Sequence, residues 1–185
     1  MNHWDREKYV KAWDFATLYH QGQTYGGPKP DMHIDYLNHI GAVAMEVIWA
    51  LHYTTQTYDA DLAIQCALLH DVIEDTSVTY ELVKTQFGEV VAVGVQALTK
   101  NIELESKQAQ MLDSLTRIGR QPKEIGMVKM ADRICNLSAP PYYWKKEKIQ
   151  TYWQESQIIY QALYTDNELL AARLQEKIEF YPHFL

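Results

Sequence analysis

The stretch His70-Asp71-Val72-Ile73-Glu74-Asp75-Thr76 places four side chains that can bind a metal within six positions. It ends the apolar run Ala67-Leu68-Leu69, and burying such a polar set without a partner would be costly. On a helix that ends there, Glu74 lies four residues after His70 and three after Asp71, so these side chains can border one cavity. An imidazole beside carboxylates suits manganese, iron, cobalt, nickel or zinc, whereas an all-oxygen set favours magnesium or calcium. The stretch therefore predicts part of a transition-metal site, which further ligands must complete.

The segments on either side of this stretch carry helical periodicity. Over 61–70 and again over 91–98, apolar residues recur at three- and four-residue steps. Glycine and proline interrupt the chain at 26–30, 121–122 and 139–141, and no alternating stretch argues for a sheet. The predicted helices lie at about 4–19, 36–52, 61–70, 80–86, 91–98, 104–119, 122–137, 149–164 and 167–180.

The length and composition are those of one ordinary globular domain. The chain has 185 residues, of which 47% are hydrophobic and 22% charged, which is enough for a sizeable core. It has no internal repeat, low-complexity segment or convincing linker. We therefore predict an all-α fold, a compact helical bundle, in a single domain over residues 1–185. Thr79 is predicted to N-cap one of the helices, with Glu81 just inside it.

Charge and apolar runs argue against several classes of function. A formal net charge of −7 repels the phosphate backbone of nucleic acids, and the 17 basic residues form no long stripe. Residues 1–7 are too polar for a secretory signal, and no apolar run approaches the roughly 20 residues that a membrane span requires. Cys66 and Cys135 are predicted to be small core residues. We expect a cytoplasmic protein that acts on a small molecule, with no nucleic acid or membrane partner, and leave a homo-oligomer open.

His39 and Asp132 are acceptable distant donors to the predicted metal, because each lies on its own predicted helix. Spacing alone does not select them. Taken by itself, His39 would more often be a hydrogen-bonded core histidine. Asp132 would more often pair with Arg133 or Lys129 at the surface.

The order of His39, the His70-Asp71 pair and Asp132 resembles the signature of the HD superfamily of metal-dependent phosphohydrolases. More closely, the chain is similar to the hydrolase domain of RelA/SpoT enzymes and to their small stand-alone relatives. The matching pieces follow the family order over most of the chain. They are Tyr36-Leu37-Asn38-His39, Ala42-Val43-Ala44, residues 67–76, Phe87-Gly88, Ala97-Leu98-Thr99-Lys100, and residues 129–133 with Asn136-Leu137.

The resemblance implies a bundle of the HD-domain type and a role for each matching residue. Four residues would hold a divalent metal, usually manganese in this family: His39, His70, Asp71 and Asp132. Glu74 and Asp75 would be catalytic, since they would lie over the reacting phosphate, orient the attacking water and manage the proton that reaches the leaving group. Alternatively, these two carboxylates merely orient the metal ligands.

Substrate contacts follow from the same resemblance, with one departure from it. Relatives use the residue at Asn136 to contact the nucleotide, and Tyr152 occupies a similar matching position. Relatives also carry an Arg-Lys pair where this chain has Tyr25 and Gly26, so two positive charges that attract an anionic substrate are missing. We expect Tyr25 to line the substrate entrance and offer an aromatic face to a base; alternatively, it packs against the first helix or the glycine loop.

These features predict an HD-type enzyme that cleaves a phosphate ester or diphosphate from a nucleotide-like substrate. The leading case is removal of the 3′-diphosphate from guanosine tetraphosphate or pentaphosphate. One alternative is a phosphatase for another small ester, such as a nucleoside monophosphate or a nicotinamide dinucleotide phosphate. Another is a non-catalytic nucleotide sensor, against which the intact Glu74 and Asp75 argue. Lys100 and Lys107 could contact phosphates but are assigned no role, because long charged side chains on helices are usually solvated.

Overall fold

Helices account for most of the fold, which a computed structural model describes for residues 2–185. The helices are α1 (Arg6–Tyr19), α2 (Tyr36–Tyr53), α3 (Ala60–Leu69), α4 (Val72–Asp75), α5 (Tyr80–Phe87), α6 (Glu89–Leu98), α7 (Lys107–Ile118), α8 (Lys123–Asn136), α9 (Lys146–Leu163) and α10 (Glu168–Phe180). A 3₁₀ turn, Tyr181–Phe184, follows α10. The predicted all-α class is confirmed. Within residues 2–185, every helix is either too short or too polar to cross a bilayer.

Side-chain caps fix where several helices begin. Thr79 accepts a hydrogen bond from the Leu82 amide at 3.2 Å, which confirms its predicted N-cap position. Asp59 caps α3 in the same way, through the Leu62 amide at 3.0 Å. The start of α3, the helix that leads to His70, is therefore set by its own local sequence.

The core is built around α3. Every residue of this helix except Asp61 is buried, because its sequence is apolar on all sides rather than along one stripe. Helices α2 and α8 pack against it, and they bury Ile40, Val47 and Met130 among other apolar side chains. Three helices thus meet in the interior, and His39, His70 and Asp132 lie on or directly after them.

The expectation of no sheet is wrong over one short segment. Strand β1 (Thr24–Gly26) pairs antiparallel with strand β2 (His33–Asp35), with Tyr25 opposite Ile34. Strands of three residues are too short to carry a readable alternating pattern, which is why no pattern predicted them. Strand β2 leads directly into α2, so the hairpin is fixed beside the first turn of that helix.

Helix α3 ends at Leu69, and Val72–Asp75 forms a separate turn, α4. The expectation that Glu74 and His70 lie on one continuous helix is therefore wrong. Cys66 is fully buried, as predicted, whereas Cys135 is only partly buried; both are free thiols whose pKa is raised by burial.

Candidate active site

Three helices bring two imidazoles and a carboxylate to one point in the interior. His39 is on α2, His70 directly follows α3, and Asp132 is on α8. The Nε2 atoms of His39 and His70 are 3.3 Å apart, and Oδ1 of Asp132 lies 3.4 Å from Nε2 of His39. One ligand atom from each of these three residues lies within 4.8 Å of the other two. All three side chains are buried.

Asp71 adjoins this point from the turn between α3 and α4. Its Oδ2 atom lies 2.9 Å from Nε2 of His70 and 3.9 Å from Nε2 of His39. The same oxygen accepts a hydrogen bond of 2.5 Å from the Tyr36 hydroxyl. The four residues that the sequence predicted as ligands are thus adjacent, and we refer to His39, His70, Asp71 and Asp132 as the His–Asp cluster.

The orientation of His70 leaves one ring nitrogen free for the cluster. Its Nδ1 lies 2.8 Å from the Ala67 carbonyl oxygen, which only accepts, so Nδ1 carries a proton and Nε2 faces the cluster. Burial lowers the pKa of His70, but Asp71 and Asp132 raise it more, to about 9. The carboxylates of Asp71 and Asp132 therefore favour a positive charge at this position.

Asp132 divides its two carboxylate oxygens between different partners. Oδ1 faces His39 and accepts a hydrogen bond of 2.5 Å from the Asn136 amide, while Oδ2 pairs with Lys129 at 2.9 Å. Burial raises the pKa of Asp132, but Lys129 and the histidines lower it more, well below the usual range. The Lys129 pairing considered for Asp132 is present, but it is buried rather than at the surface. Arg133 instead lies against Tyr152.

The donor set fits a divalent metal ion. Two atoms that bind one ion at about 2.1 Å each must lie within about 4.2 Å of one another. Four of the six distances between the ligand atoms of His39, His70, Asp71 and Asp132 are 2.9 to 3.9 Å and meet this limit, whereas only His39, His70 and Asp132 all lie within 4.8 Å of one another. Mixed imidazole nitrogen and carboxylate oxygen favour a transition ion over magnesium or calcium.

Glu74 and Asp75 lie on α4, directly beyond Asp71, but their surroundings differ. Glu74 accepts hydrogen bonds from the Lys100 amide at 2.9 Å and from the Lys100 ammonium at 2.5 Å. Oδ2 of Asp75 lies 3.1 Å from the same Tyr36 hydroxyl, whose single proton it shares with Asp71. Burial and the nearby Asp71 charge raise the pKa of Asp75. Glu74 is therefore paired with a cation, whereas Asp75 is the carboxyl more disposed to carry a proton.

The three predicted substrate contacts lie at different distances from the His–Asp cluster. Asn136 touches it through Asp132. Tyr25 accepts a hydrogen bond of 2.8 Å from the Asn38 amide, and its ring stands edge-on to Tyr36, with ring centroids 6.3 Å apart. This places Tyr25 one aromatic ring away from Asp71.

Tyr152 is further removed, on α9. The Arg133 guanidinium covers one face of its ring, 4.0 Å from the centroid, and Trp144 packs against its edge. Among residues 2–185, no hydrogen bond joins the Tyr152 hydroxyl to the His–Asp cluster. Burial raises the pKa of this hydroxyl, and Asp132 adds to the effect, which places that charge within electrostatic reach.

Four residues that the sequence did not assign to the site contact it: Gln23, Tyr36, Lys100 and Lys129. Tyr36 precedes His39 by three residues and so shares its helix face, a signal that could have identified it. Lys129 precedes Asp132 by the same spacing. Gln23 and Lys100 give no local signal, because the residues they contact are 52 and 26 positions away.

Comparison with known proteins agrees with this geometry. A family model described as HD domain matches residues 12–167. A guanosine-3′,5′-bis(diphosphate) 3′-pyrophosphohydrolase of Danio rerio is 29% identical over 169 residues, which cover 88% of each chain. A protein of the same description from Aquifex aeolicus is 35% identical over 102 residues, 54% of this chain but 14% of that longer protein.

Solved structures extend the likeness to the fold. A structure described as a metazoan ortholog of SpoT that hydrolyzes ppGpp superposes with a TM-score of 0.81, at 24% identity, over 99% of both chains. A Listeria monocytogenes protein superposes with a TM-score of 0.63 over 81% of this chain. The chain therefore belongs to the HD domain family, the metal-dependent phosphohydrolases that its sequence resembles.

Proposed function

We propose that this chain is a divalent-metal-dependent phosphohydrolase whose leading activity removes the 3′-diphosphate of guanosine tetraphosphate or pentaphosphate. One observation carries the proposal: the His–Asp cluster is assembled from three helices, and Glu74 and Asp75 follow it on the next turn. The similarity to pyrophosphohydrolases over 88% of the chain supports this substrate class.

His39, His70, Asp71 and Asp132 are proposed to hold the ion, and manganese is the ion we propose. A bound divalent ion lowers the pKa of water and neutralises phosphate charge. The chain keeps the cluster rigid, because His39 and Asp132 project from buried helices and His70 is fixed through Ala67. Lys129 holds the second oxygen of Asp132 and so limits how that carboxylate can turn.

Asp75 and Glu74 are proposed to divide the proton chemistry. Water adds to phosphorus, the bond from phosphorus to the 3′ oxygen breaks, and that oxygen needs a proton as it leaves. A raised pKa suits Asp75 to supply this proton. Glu74, fixed by Lys100, suits the orientation of the attacking water. If both residues only orient the metal ligands, their loss will reduce metal content as well as turnover.

Recognition is proposed to involve Asn136, Tyr25 and Tyr152. Asn136 lies beside the cluster, and Tyr25 stands at the hairpin that borders α2. Tyr152 has one ring face already covered by Arg133, so it would contact substrate through its edge or hydroxyl.

A second candidate is hydrolysis of a less charged phosphate ester, such as a nucleoside monophosphate or a nicotinamide dinucleotide phosphate. The observation that favours it is the pairing of nearby cations. Lys100 pairs with Glu74 and Lys129 pairs with Asp132. Neither ammonium is free to offset several phosphates, and Tyr25 and Gly26 add no charge.

Phosphate release from a substrate panel tests the proposal. With manganese, wild-type protein should release pyrophosphate from guanosine tetraphosphate, or phosphate from one of the less charged esters. Glu74→Gln and Asp75→Asn should lower turnover by roughly a hundredfold or more while metal content stays near normal, as expected for lost acid–base assistance. Glu103→Gln, an exposed carboxylate elsewhere, is the matched control. Wild-type protein that binds nucleotide yet hydrolyses nothing with any metal would contradict the proposal and favour a sensor.

A further inference from the structure

The connection between α1 and β1 reaches across to the end of α4. The Gln23 side chain donates a hydrogen bond of 2.8 Å from Nε2 to the backbone carbonyl of Asp75. Helix α4 has only four residues, and the last carbonyls of any helix lack partners within it. The Thr76 hydroxyl donates to the backbone carbonyl of Val72 at the start of this turn. The Gln23 side chain donates to the backbone carbonyl of Asp75 at its end. The position of Asp75 thus depends on a side chain that is distant in sequence.

His20 fixes the orientation of Gln23. The Asp75 carbonyl can only accept, so the amide nitrogen of Gln23 must face it and the amide oxygen must face His20. Nδ1 of His20 lies 2.7 Å from that oxygen and therefore carries the proton. His20 is 1% exposed and packs beside the Tyr36 ring, with centroids 5.1 Å apart. Gln23 is thus anchored to a buried histidine.

A glycine turn lets Gln23 reach both partners. Gly22 has a φ of +78°, a left-handed conformation that residues with a Cβ rarely adopt. The backbone N–H of Gln23 donates a hydrogen bond of 3.0 Å to the backbone carbonyl of His20 and closes this turn. The backbone geometry therefore presents the Gln23 side chain to His20 on one side and to α4 on the other.

We propose that Gln23, oriented by His20, is a positioning residue that holds the Asp75 carboxyl in place for the reaction. The inference rests on the proposed function, because Asp75 is the proton carrier there. Gln23 fixes the Asp75 backbone, and the Tyr36 hydroxyl fixes its carboxylate. One hydrogen bond at the protein surface adds little to global stability, whereas a small displacement of a catalytic group can lower turnover strongly.

Four variants separate positioning from folding. Gln23→Leu removes both side-chain bonds, and Gln23→Glu keeps an acceptor for His20 but cannot donate to Asp75. His20→Asn places an amide donor near the position of Nδ1 and should retain much of the effect, whereas His20→Leu should not. Gln21→Leu, at an exposed neighbouring position, is the matched control.

The first measurement is backbone amide hydrogen exchange over residues 72–76 in metal-free protein. This measurement does not depend on enzymatic activity. Loss of one hydrogen bond should accelerate exchange there by about fivefold in Gln23→Leu and Gln23→Glu, with the melting temperature nearly unchanged. The second is steady-state kinetics on the best substrate. We expect kcat to fall by about tenfold to a hundredfold in both variants, with KM and metal content close to wild type.

Hydrogen exchange and steady-state kinetics together distinguish failure of the positioning role from failure of the proposed function. If Gln23→Leu and Gln23→Glu exchange and turn over like wild type, the positioning role is wrong. If kcat falls only as much as the fraction of folded protein falls, Gln23 and His20 have a structural role and the proposal is overturned. The same conclusion follows if kcat is as low in His20→Asn as in His20→Leu. If wild-type protein hydrolyses no substrate while exchange accelerates as expected, the proposed function fails and the contact between Gln23 and Asp75 stands.

Discussion

Asp132 serves two partners that sequence reasoning treats as alternatives. Its Oδ2 pairs with Lys129, whose side chain is 13% exposed, while its Oδ1 faces His39. A buried carboxylate with a single cation would be an ordinary ion pair. Here Oδ1 lies 3.4 Å from Nε2 of His39, which is itself 3.3 Å from Nε2 of His70, an arrangement that an ion pair does not require. The pairing with Lys129 therefore accompanies the proposed metal site rather than replacing it.

Substitution of Tyr25 tests how the substrate is recognised. Its ring is perpendicular to that of Tyr36 and its hydroxyl accepts from Asn38, which places it beside the first turn of α2. Stacking on a base contributes on the order of 1 to 3 kcal/mol in single-strand binding proteins, but it cannot replace a charge against several phosphates. Tyr25→Ala should raise KM for the best substrate with little loss of stability, and Tyr25→Phe should not. Tyr25→Arg should improve guanosine tetraphosphate hydrolysis.

Melting temperature and steady-state kinetics of the same preparations decide between the two interpretations of Tyr25. A Tyr25→Ala variant that melts earlier, while its folded fraction keeps wild-type kinetics, would make Tyr25 a packing residue. The recognition argument would then be wrong.

The residues of the candidate site differ in how far the sequence predicts them. The adjacent residues His70, Asp71, Glu74 and Asp75 form a dense local signal. His39 and Asp132 needed the family resemblance, because a single histidine or aspartate on a helix has several common uses. Lys100 was considered only as a possible phosphate contact, because its bond to Glu74 spans 26 positions and gives no local signal.

At the scale of elements, one ionic contact attaches α1 to α3. Asp61, in the first turn of α3, accepts hydrogen bonds from the Asp5 amide at 2.6 Å and from the Lys8 ammonium at 2.5 Å. Burial raises the pKa of Asp61, but these two partners lower it more, so that it lies below the usual 3.8. Asp61 is thus stabilised as a carboxylate in the folded chain.

This contact predicts how the stability of α1 depends on pH. A carboxyl with a lowered folded-state pKa contributes stability above its unfolded pKa, and that stability is lost as the pH falls through the folded pKa. The difference in free energy of unfolding between wild type and Asp61→Asn should therefore be largest above about pH 4 and shrink below it. Glu7→Gln, at an exposed position on α1, is the control. Denaturation at several pH values measures this; a difference that stays constant below pH 4 would contradict it.

Long helices were predictable to within a few residues, whereas short elements were not. Helix α2 was predicted at 36–52 and spans Tyr36–Tyr53, because its apolar stripe is long and regular. Strand β1 of the hairpin has three residues and the turn α4 has four. Both are too short to show a periodic pattern in the sequence. Both depend on contacts across the fold, such as the bond from Gln23 to Asp75.

For the whole molecule, the central position of α3 explains why the cluster is well defined. His70 follows a helix that is buried on almost every side, and α2 and α8 place His39 and Asp132 against it. Displacing any of the three ligands requires moving core helices, which are close-packed. The TM-score of 0.81 at 24% identity fits this account, since the fold persists while most side chains change. The single-domain boundary of 1–185 and the cytoplasmic location stay predictions.

The net charge of −7 also bears on the site as a whole. Two carboxylates, Asp71 and Asp132, lie at the two imidazoles, and Lys129 pairs with only one of them. A phosphorylated substrate would be repelled from such a site unless a cation occupied it. Metal binding is therefore the claim on which the proposed hydrolysis depends.

Elemental analysis of protein reconstituted with manganese and then freed of unbound ions tests this claim most directly. We expect about one ion per chain in wild type, because two imidazoles and two carboxylates form one mixed donor set. Asp71→Ala and Asp132→Ala should retain much less, whereas Asp113→Ala, which removes a carboxylate paired with Arg117 on α7, should retain as much as wild type. Equal, negligible metal in wild type and Asp71→Ala would contradict the account.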